Sequence, residues 1–530
     1  MTASLAPVVL AAPLAFAIAA VVAARAPGPR SRRVERAVTA ASWVGVAAAA
    51  GGVAIVAAAG PQTSGTLGAA GLGLSVRLDP VSAGMLAMIA LLAAVIVRYS
   101  ATYMDGDARH GAFLGWLAAT VAAVELLVCA GNLAMLVATW VATSLALHRL
   151  LVFYRSRRGA VIAARKKFLV ARLGDGFLLA AAVSLYREFG TGDLGEIFAA
   201  VGERDGQRFG ASGVGLAALC LAVAALLKSA QFPTHGWLVE VMETPTPVSA
   251  LLHAGILNAG PFLLIRMSPV LDGEGWASVV LIGVGGATAL FASVALLTQP
   301  TVKVALGYSS AAHMGFMALV CGLGIYPAAL LHLVAHSFYK AHAFLSSGSV
   351  VDEARAPKPA LPPRLGHPGR LLLATAGALG CYLGFALVLA PGALREPELA
   401  ALGAVLVLGL VQLLAPALDS AGPVSGTVRV FVAAAGVTTA FFTLEAITHH
   451  LVHGVVPEPA ARAVPALVLA AAVLGAFAIV VALQIAEPAR APSRRRRRWA
   501  VHLRNGLYAN AWADRLVGAL RQAPATPVRP

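Results

Sequence analysis

An all-α, polytopic membrane protein of about fifteen transmembrane helices, some of them broken, is the fold class this sequence predicts. Three observations predict it. Of 530 residues only 12% are charged against 59% hydrophobic, with a mean hydropathy of +0.80. A soluble domain carries about 25% charged residues, so lipid is the main solvent here. Apolar stretches of the ~20 residues needed to cross a bilayer recur along the chain. The cations gather in alternate loops between those stretches, as in a multi-pass protein with positive loops inside.

In chain order, spans are expected at residues 4–24, 38–59, 77–97, 112–130, 132–153, 166–186, 211–231 and 246–268. Further spans follow at 277–298, 302–322, 325–350, 370–391, 399–418, 429–452 and 464–486. The first stretch has no Lys or Arg before it, and Arg25, Arg30, Arg32 and Arg33 follow it. A secretory signal has the reverse order, so this reads as a first helix entering with its N-terminus outside. Loops 25–36, 154–167, 352–370 and 490–498 then fall on the cytoplasmic side and are basic, whereas 60–71 and 453–464 are nearly free of cations.

The expected organisation is an N-terminal two-helix segment (1–76), a central segment (77–350) and a basic cytoplasmic loop (351–370). C-terminal transmembrane helices (371–489) and a basic tail (490–530) complete it. In the tail, Leu503, Leu507, Tyr508, Trp512, Leu516 and Leu520 fall largely on one helix face. A basic amphipathic helix lies in the membrane interface or docks a partner, and the interfacial reading is preferred.

The net charge of +16 does not imply nucleic acid, because the cations sit between apolar segments. Cys129, Cys220, Cys321 and Cys381 lie singly in apolar stretches, without iron–sulfur or zinc spacing. There is no Walker A sequence, and glycines such as those in "GVGG" (283–286) suit helix packing.

The lysines are informative because they are few: six, against 34 arginines among the 40 cations. Lys166, Lys167 and Lys358 are expected in loops or at their edges, whereas Lys228, Lys303 and Lys340 fall within or at the edges of apolar helices. Arginine stays charged almost anywhere, whereas a buried lysine readily takes up and releases a proton. In "LLHLVAHSFYKAHAFLSSGS", His332, His336 and Lys340 stand at i, i+4 and i+8 and share a face; His342 does not. Such a column suits proton hopping, since histidine titrates near neutral pH through two ring nitrogens. Charges at bilayer depth are costly, which favours a functional role over hydrogen bonding between helices.

Acidic candidates are Glu125 in mid-span and Asp175 beside Arg172, where a structural ion pair is as good a reading as a mechanistic one. Glu240 and Glu243 flank the turn after Lys228. His449, His450 and His453 follow Glu445 and read as a helix end at the water interface; no metal site is expected in this chain. Pro233 cannot continue a helix, and Pro245 and Pro247 open the next one, which carries His253. Backbone freed at membrane depth must line a cavity or be buried in protein, so Lys228 reads as a proton-relay residue at a wetted helix break.

Residues 226–266, "LLKSAQFPTHGWLVEVMETPTPVSALLHAGILNAGPFLLIR", resemble the signature of the proton-translocating antiporter-like membrane subunits. These include subunit L of NADH–quinone oxidoreductase and the Mrp subunits. "TQPTVKVALGYSSAAHMGFM" (298–317), "HLVAHSFYKAHAFLSSGSV" (332–350) and "RKKFLVARLGDGFLL" (165–179) extend the match over about residues 80–350. The resemblance implies that Lys228 is the channel lysine at a broken helix and Lys303 the lysine two helices on. It also implies that His332, His336 and Lys340 form the central polar axis, and that Arg172 and Asp175 form a family pair. The chain departs from the pattern at Val141, where the family carries a glutamate after Trp140; Glu125 is the candidate replacement. A Lys-Asp-Glu-like motif near 375–420 and a long lateral helix are also missing.

Together with the short tail "HLRNGLYANAWADRLVG", these stretches most resemble a smaller branch, the membrane subunits of DAB-type inorganic-carbon accumulation systems. That branch implies a large soluble DabA-type partner similar to a zinc β-carbonic anhydrase, which hydrates CO2 inside the cell while cations flow through the membrane subunit. Zinc would belong to the partner. The chain itself is then no enzyme, carries no cofactor, and sits in a bacterial plasma membrane. The alternatives are a subunit L-like part of a redox-driven pump and an Mrp-type cation/proton antiporter module.

Overall fold

The computed structural model describes residues 4–203, 213–272, 275–349, 368–389, 396–419, 424–459, 462–486 and 493–518. The described residues form a bundle of long helices. The first two are α1 (Ala11–Arg25) and α2 (Arg32–Ala59), followed by two small antiparallel ladders that fold the loop before the next helix. In these, β1 (Gln62–Thr63) pairs with β4 (Arg77–Leu78), and β2 (Leu67–Ala69) with β3 (Leu72–Leu74). Next come α3 (Pro80–Tyr103), α4 (His110–Val128), α5 (Leu133–Leu151) and α6 (Arg158–Phe189). α7 (Leu194–Gly202), α8 (Gly213–Lys228) and the five-residue α9 (Gly236–Glu240) lead to α10 (Thr246–Ala254) and α11 (Ala259–Arg266). After α12 (Ser268–Asp272), the spans α13 (Gly275–Leu296), α14 (Val302–Gly322) and α15 (Tyr326–Leu345) complete this half.

The remaining helices are α16 (Pro368–Leu389), α17 (Pro397–Leu418), α18 (Val424–Val452) and α19 (Val464–Ile485), then α20 (Arg494–Arg504) and α21 (Ala509–Leu516) in the tail.

Thirteen spans among the described residues are long and apolar enough to cross a membrane. The two other expected spans are α8, with 16 described residues, and the 20-residue α15. They end in Lys228 and carry His332, His336 and Lys340 respectively, which lowers the apolarity of α15. The basic loop expected at 351–370 lies outside the described residues up to 367, as do Lys358 and Leu520.

The loops sort into two faces. On one, Arg30 pairs with Asp105 at 2.7 Å and Tyr154 donates to Asp107 at 2.6 Å, joining the loops after α1, α3 and α5. Burial and the bond to Asp107 push the Tyr154 phenol up to about 12. On the other face, Arg77 N–H donates to the Cys129 carbonyl and Leu133 N–H to that of Gly192. This alternation is what an odd–even count of spans requires.

Glycine lets α13 and α14 approach closely. A Cβ on Gly285 of α13 would lie 2.7 Å from the Gly315 carbonyl of α14, and one on Gly315 would lie 2.6 Å from that of Gly285. Small residues let two backbones meet and gain dispersion contacts where lipid offers no hydrophobic drive.

Two expectations are corrected. α6 begins at Arg158, eight residues before the expected 166, because the alanine-rich "RGAVIAARKK" is a good helix former. Lys166 and Lys167 are therefore buried inside a helix and not in a loop. The tail is not one amphipathic helix: Leu507 and Tyr508 take left-handed backbone (φ 52° and 60°) and divide α20 from α21.

Candidate ion-translocation site

The break after Lys228 is built from local turns. α8 stops at Lys228, and Ser229 N–H still donates to the Ala225 carbonyl at 3.0 Å. Beyond it, Thr234 N–H finds the Gln231 carbonyl (2.8 Å) and Phe232 N–H finds Thr288 Oγ1 of α13 (3.0 Å). Protein groups thus satisfy these freed backbone donors, the condition for irregular chain at membrane depth. Pro245 caps α10 and Pro247 sits in its first turn, where a missing N–H costs nothing.

A second break was not foreseen. The span 246–266 is interrupted between α10 and α11 by a turn at Ile256–Asn258. Asn258 holds it, donating to the freed Ala254 carbonyl at 2.8 Å and to Ser337 Oγ of α15 at 2.7 Å. α11 returns against α8 so closely that a Cβ on Gly260 would lie 1.8 Å from Ser229 Oγ.

Lys228 is buried, and its ammonium donates to Ser144 Oγ (2.8 Å) and the Trp140 carbonyl (3.2 Å), 4.2 Å from the Trp140 ring centroid. Both acceptors are neutral groups of α5, flanking Val141, where the family's acid would stand. Lys167 donates to the Ser144 carbonyl at 2.9 Å, so two cations meet at one residue. The charges that reach Lys228 from α6 are those of Arg172 and Asp175, themselves paired at 2.6 Å. Glu125 is not bonded to Lys228. Its carboxyl faces α2, where a Cβ on Gly45 would lie 3.5 Å from Oε1, and among the described residues neither oxygen has a hydrogen-bond partner.

The second group gathers on α15. Lys340, fully buried, donates to Ser309 Oγ (2.7 Å) and the Leu306 carbonyl (3.2 Å) of α14. His253 Nδ1 shares a 2.9 Å hydrogen bond with Ser310 Oγ, and its ring stacks on Phe344 at 4.3 Å. One turn before Lys340 lies His336, buried, with no hydrogen bond at either nitrogen among the described residues. His332 Nε2 shares a 2.9 Å bond with Nδ1 of His313 on α14. Lys303, in the first turn of α14, donates to Thr246 Oγ1 at 3.1 Å.

The structure brings His253, His332, His336 and Lys340 together and holds Lys228 beside Arg172 and Asp175. It keeps Glu125 apart from both groups. His449 and His453 stand exposed at the end of α18, 3.0 and 3.6 Å from Glu458.

Sequence reasoning missed Ser144, His313 and the serines Ser309, Ser310 and Ser337. A serine in an apolar helix is too common to signal a role. His313 had a usable signal, since it sits in mid-span of an apolar helix. Also missed was the joint between Asp79, which caps α3, and Arg266, the last residue of α11. Arg266 donates to Asp79 Oδ2 at 2.5 Å and Oδ1 at 3.1 Å, and Arg77 adds a bond at 2.8 Å. Burial alone would push the Asp79 carboxyl up, but Arg266 and Arg77 hold it well below the usual carboxylate range.

The tail closes the Lys228 side. Lys166 pairs with Glu240 of α9 at 2.7 Å and with Asp514 of α21, and Asn510 bonds to both Lys166 and Glu240. Trp499, Val501, Trp512 and Leu516 remain exposed.

Residues 130–359 match the family described as "NADH:quinone oxidoreductase/Mrp antiporter, TM", and residues 66–114 the family of the complex I chain 5 N-terminus. A probable inorganic carbon transporter subunit DabB2 from Halothiobacillus neapolitanus is 37% identical over 460 residues, covering 84% of this chain and 81% of that protein. A probable DabB from Hydrogenovibrio crunogenus is 44% identical over 284 residues, 53% of this chain and 54% of that one, so the match spans about half of its length. Among solved structures, a chain of the Mrp complex from Dietzia sp. DQ12-45-1b superposes with a TM-score of 0.58 at 24% identity. That superposition covers 98% of this chain and 64% of the other, and at this identity it shows the fold.

Proposed function

This chain belongs to the DabB family of inorganic carbon transporter subunits, within the antiporter-like group of membrane proteins, and on that premise we propose that it conducts protons to energise inorganic-carbon accumulation. The observation that carries the reading is Lys340: a lysine fully buried in a membrane span, bonded among the described residues to a hydroxyl and a carbonyl, with His336 one turn before it and His313 and His332 grouped around His336. Among the described residues no carboxylate pins its charge, so a proton arriving from the His336 side finds an amine able to take it and pass it on. An imidazole accepts at one nitrogen and donates from the other, so the His313–His332 bond and the unpartnered His336 suit relay. Lys228, held by Ser144 and the Trp140 carbonyl, would gate the other half-channel, with the Arg172–Asp175 pair setting the local field.

The partner in this reading is a large soluble zinc protein of the carbonic-anhydrase type, which would remove CO2 by hydration as protons flow. The N-terminus would lie outside the plasma membrane and the basic tail inside, on the face shared by the loops after α1 and α5. The second reading, a proton-pumping subunit of a respiratory complex or an Mrp antiporter, rests on the family match at residues 130–359. Neutral acceptors in place of the acid beside Lys228 weigh against it.

Two experiments test the proposal. The chain purified from native membranes should bring down a stoichiometric soluble protein that contains zinc; respiratory membrane subunits instead would transfer it to the second reading. Reconstituted with that partner, Lys340→Ala and Lys228→Ala should abolish proton flux, read with a pH-sensitive dye, at unchanged abundance in the membrane. Flux that follows sodium and not protons would overturn the choice of ion.

A further inference from the structure

We propose that His313, His332 and His336 form a binding site for one divalent transition metal of the zinc class, which clamps α14 to α15. The sequence suggested no metal, because the histidines weighed for one were His449, His450 and His453. The three proposed here come from two helices and meet only in the fold.

The geometry carries the site. One ligand nitrogen from each ring lies within 4.8 Å of the other two, and the ring centroids are 4.9 Å (His313–His336), 5.0 Å (His313–His332) and 6.3 Å (His332–His336) apart. Zinc–nitrogen bonds of about 2.0–2.1 Å in a tetrahedron place ligand nitrogens roughly 3.4 Å apart. The His313–His332 pair, at 2.9 Å, must therefore open slightly, and His336 must turn inward. Side-chain torsions supply movements of that size.

A second observation points to a ligand. His336 is 3% exposed, yet neither ring nitrogen has a hydrogen-bond partner among the described residues. Buried polar atoms are normally satisfied, and this one faces two other imidazoles. His313 and His332 are only half-buried, so the cluster reaches the surface of the chain. The donor set is all imidazole with no carboxylate, which suits zinc, copper or nickel and not calcium or magnesium. A fourth position stays open for water or hydroxide, which would offset part of the ion's charge.

The consequence rests on the proposed function. A bound metal takes the imidazole lone pairs that a proton relay needs and ties together the helices that carry Lys340 and its serine partner. Zinc would then arrest proton flow.

The test uses the full chain in detergent. After incubation with zinc and desalting, the wild-type chain should retain one zinc per chain, and cobalt in its place should give the visible bands of a tetrahedral site. His313→Gln and His332→Gln should each weaken retention more than about tenfold. His449→Gln/His453→Gln should not. His313→Cys, which returns a ligand to the same position, should keep cobalt bound and add a thiolate charge-transfer band. Zinc retention equal in wild type and His313→Gln, loss on removing His449 and His453, or failure of His313→Cys to restore binding would each overturn the site. Binding is read without transport, so it stands or falls separately from the proposed function. Zinc that binds in proteoliposomes but leaves proton flux unchanged would overturn the coupling alone.

Discussion

Replacing Asp79 tests the joint between the start of α3 and the end of α11. Asp79 is fully buried, Arg266 is 3% exposed, and the pair shares two hydrogen bonds with a third from Arg77. Removing one member of a buried ion pair strands the other charge and costs about 3–5 kcal/mol. Asp79 also accepts from Ser82 N–H at 2.9 Å as the cap of α3, and losing a cap costs about 1 kcal/mol. Asp79→Ala should therefore cost about 4–6 kcal/mol, the sum of both terms. Asp79→Asn keeps the cap and isolates the charge, at about 3 kcal/mol.

The buried cysteines supply the assay. Cys129, Cys220 and Cys321 are free and buried, so a thiol-reactive fluorophore reports unfolding as they become exposed. Asp79→Asn should lower the midpoint by on the order of 3 °C, and adding Arg266→Met should recover part of the loss because the buried guanidinium is no longer stranded, leaving only the half-buried Arg77 without its carboxylate. The pH dependence follows from the sign of the shift. A carboxylate held low adds stability above its unfolded value of about 4 and loses it as pH falls through the folded one. The gap between wild type and Asp79→Asn should stay level from pH 8 to 5 and close only under strong acid. An unchanged midpoint for Asp79→Asn at pH 7 would refute the reasoning.

Other substitutions probe the site and its frame. Ser144→Ala removes the nearer acceptor of Lys228 and should reduce proton flux in proteoliposomes at unchanged membrane abundance; undiminished flux would show that the Trp140 carbonyl suffices. Gly260→Ala places a Cβ 1.8 Å from Ser229 Oγ and 2.5 Å from the Ala225 carbonyl. It should cost about 1–3 kcal/mol by overpacking, seen as a lower thiol-exposure midpoint, with Ser229→Ala relieving only the side-chain part. Asp514→Ala combined with Asn510→Ala should free the tail from Lys166 and Glu240, read as faster proteolysis at the turn 505–508. Equal cleavage would mean that the exposed Trp499 and Trp512, not these polar contacts, hold the tail.

Much of the candidate site was legible because a charge in a lipid-facing sequence stands out. Lys228, Lys340 and the His332–His336 spacing each break an apolar run, and helical periodicity alone puts the last three on one face. Glu125 was equally visible and led to the wrong partner, because periodicity gives the face of a helix and not its neighbour. The deeper position of Lys166 and Lys167 was hidden by their charge, which resembles a loop until Glu240, Asp514 and the Ser144 carbonyl are seen to receive it.

By itself the sequence determined the solvent, most of the spans and that no helix runs on through Pro233, because these depend on hydropathy and on a residue that lacks an N–H. Only the tertiary structure decided what each buried cation touches, that a second break at Ile256–Asn258 is held from α15, and that His313 joins two histidines from another helix. Those outcomes depend on side chains far apart in the chain, Asn258 with Ser337 and Arg266 with Asp79, and no local pattern encodes which helices will lie side by side.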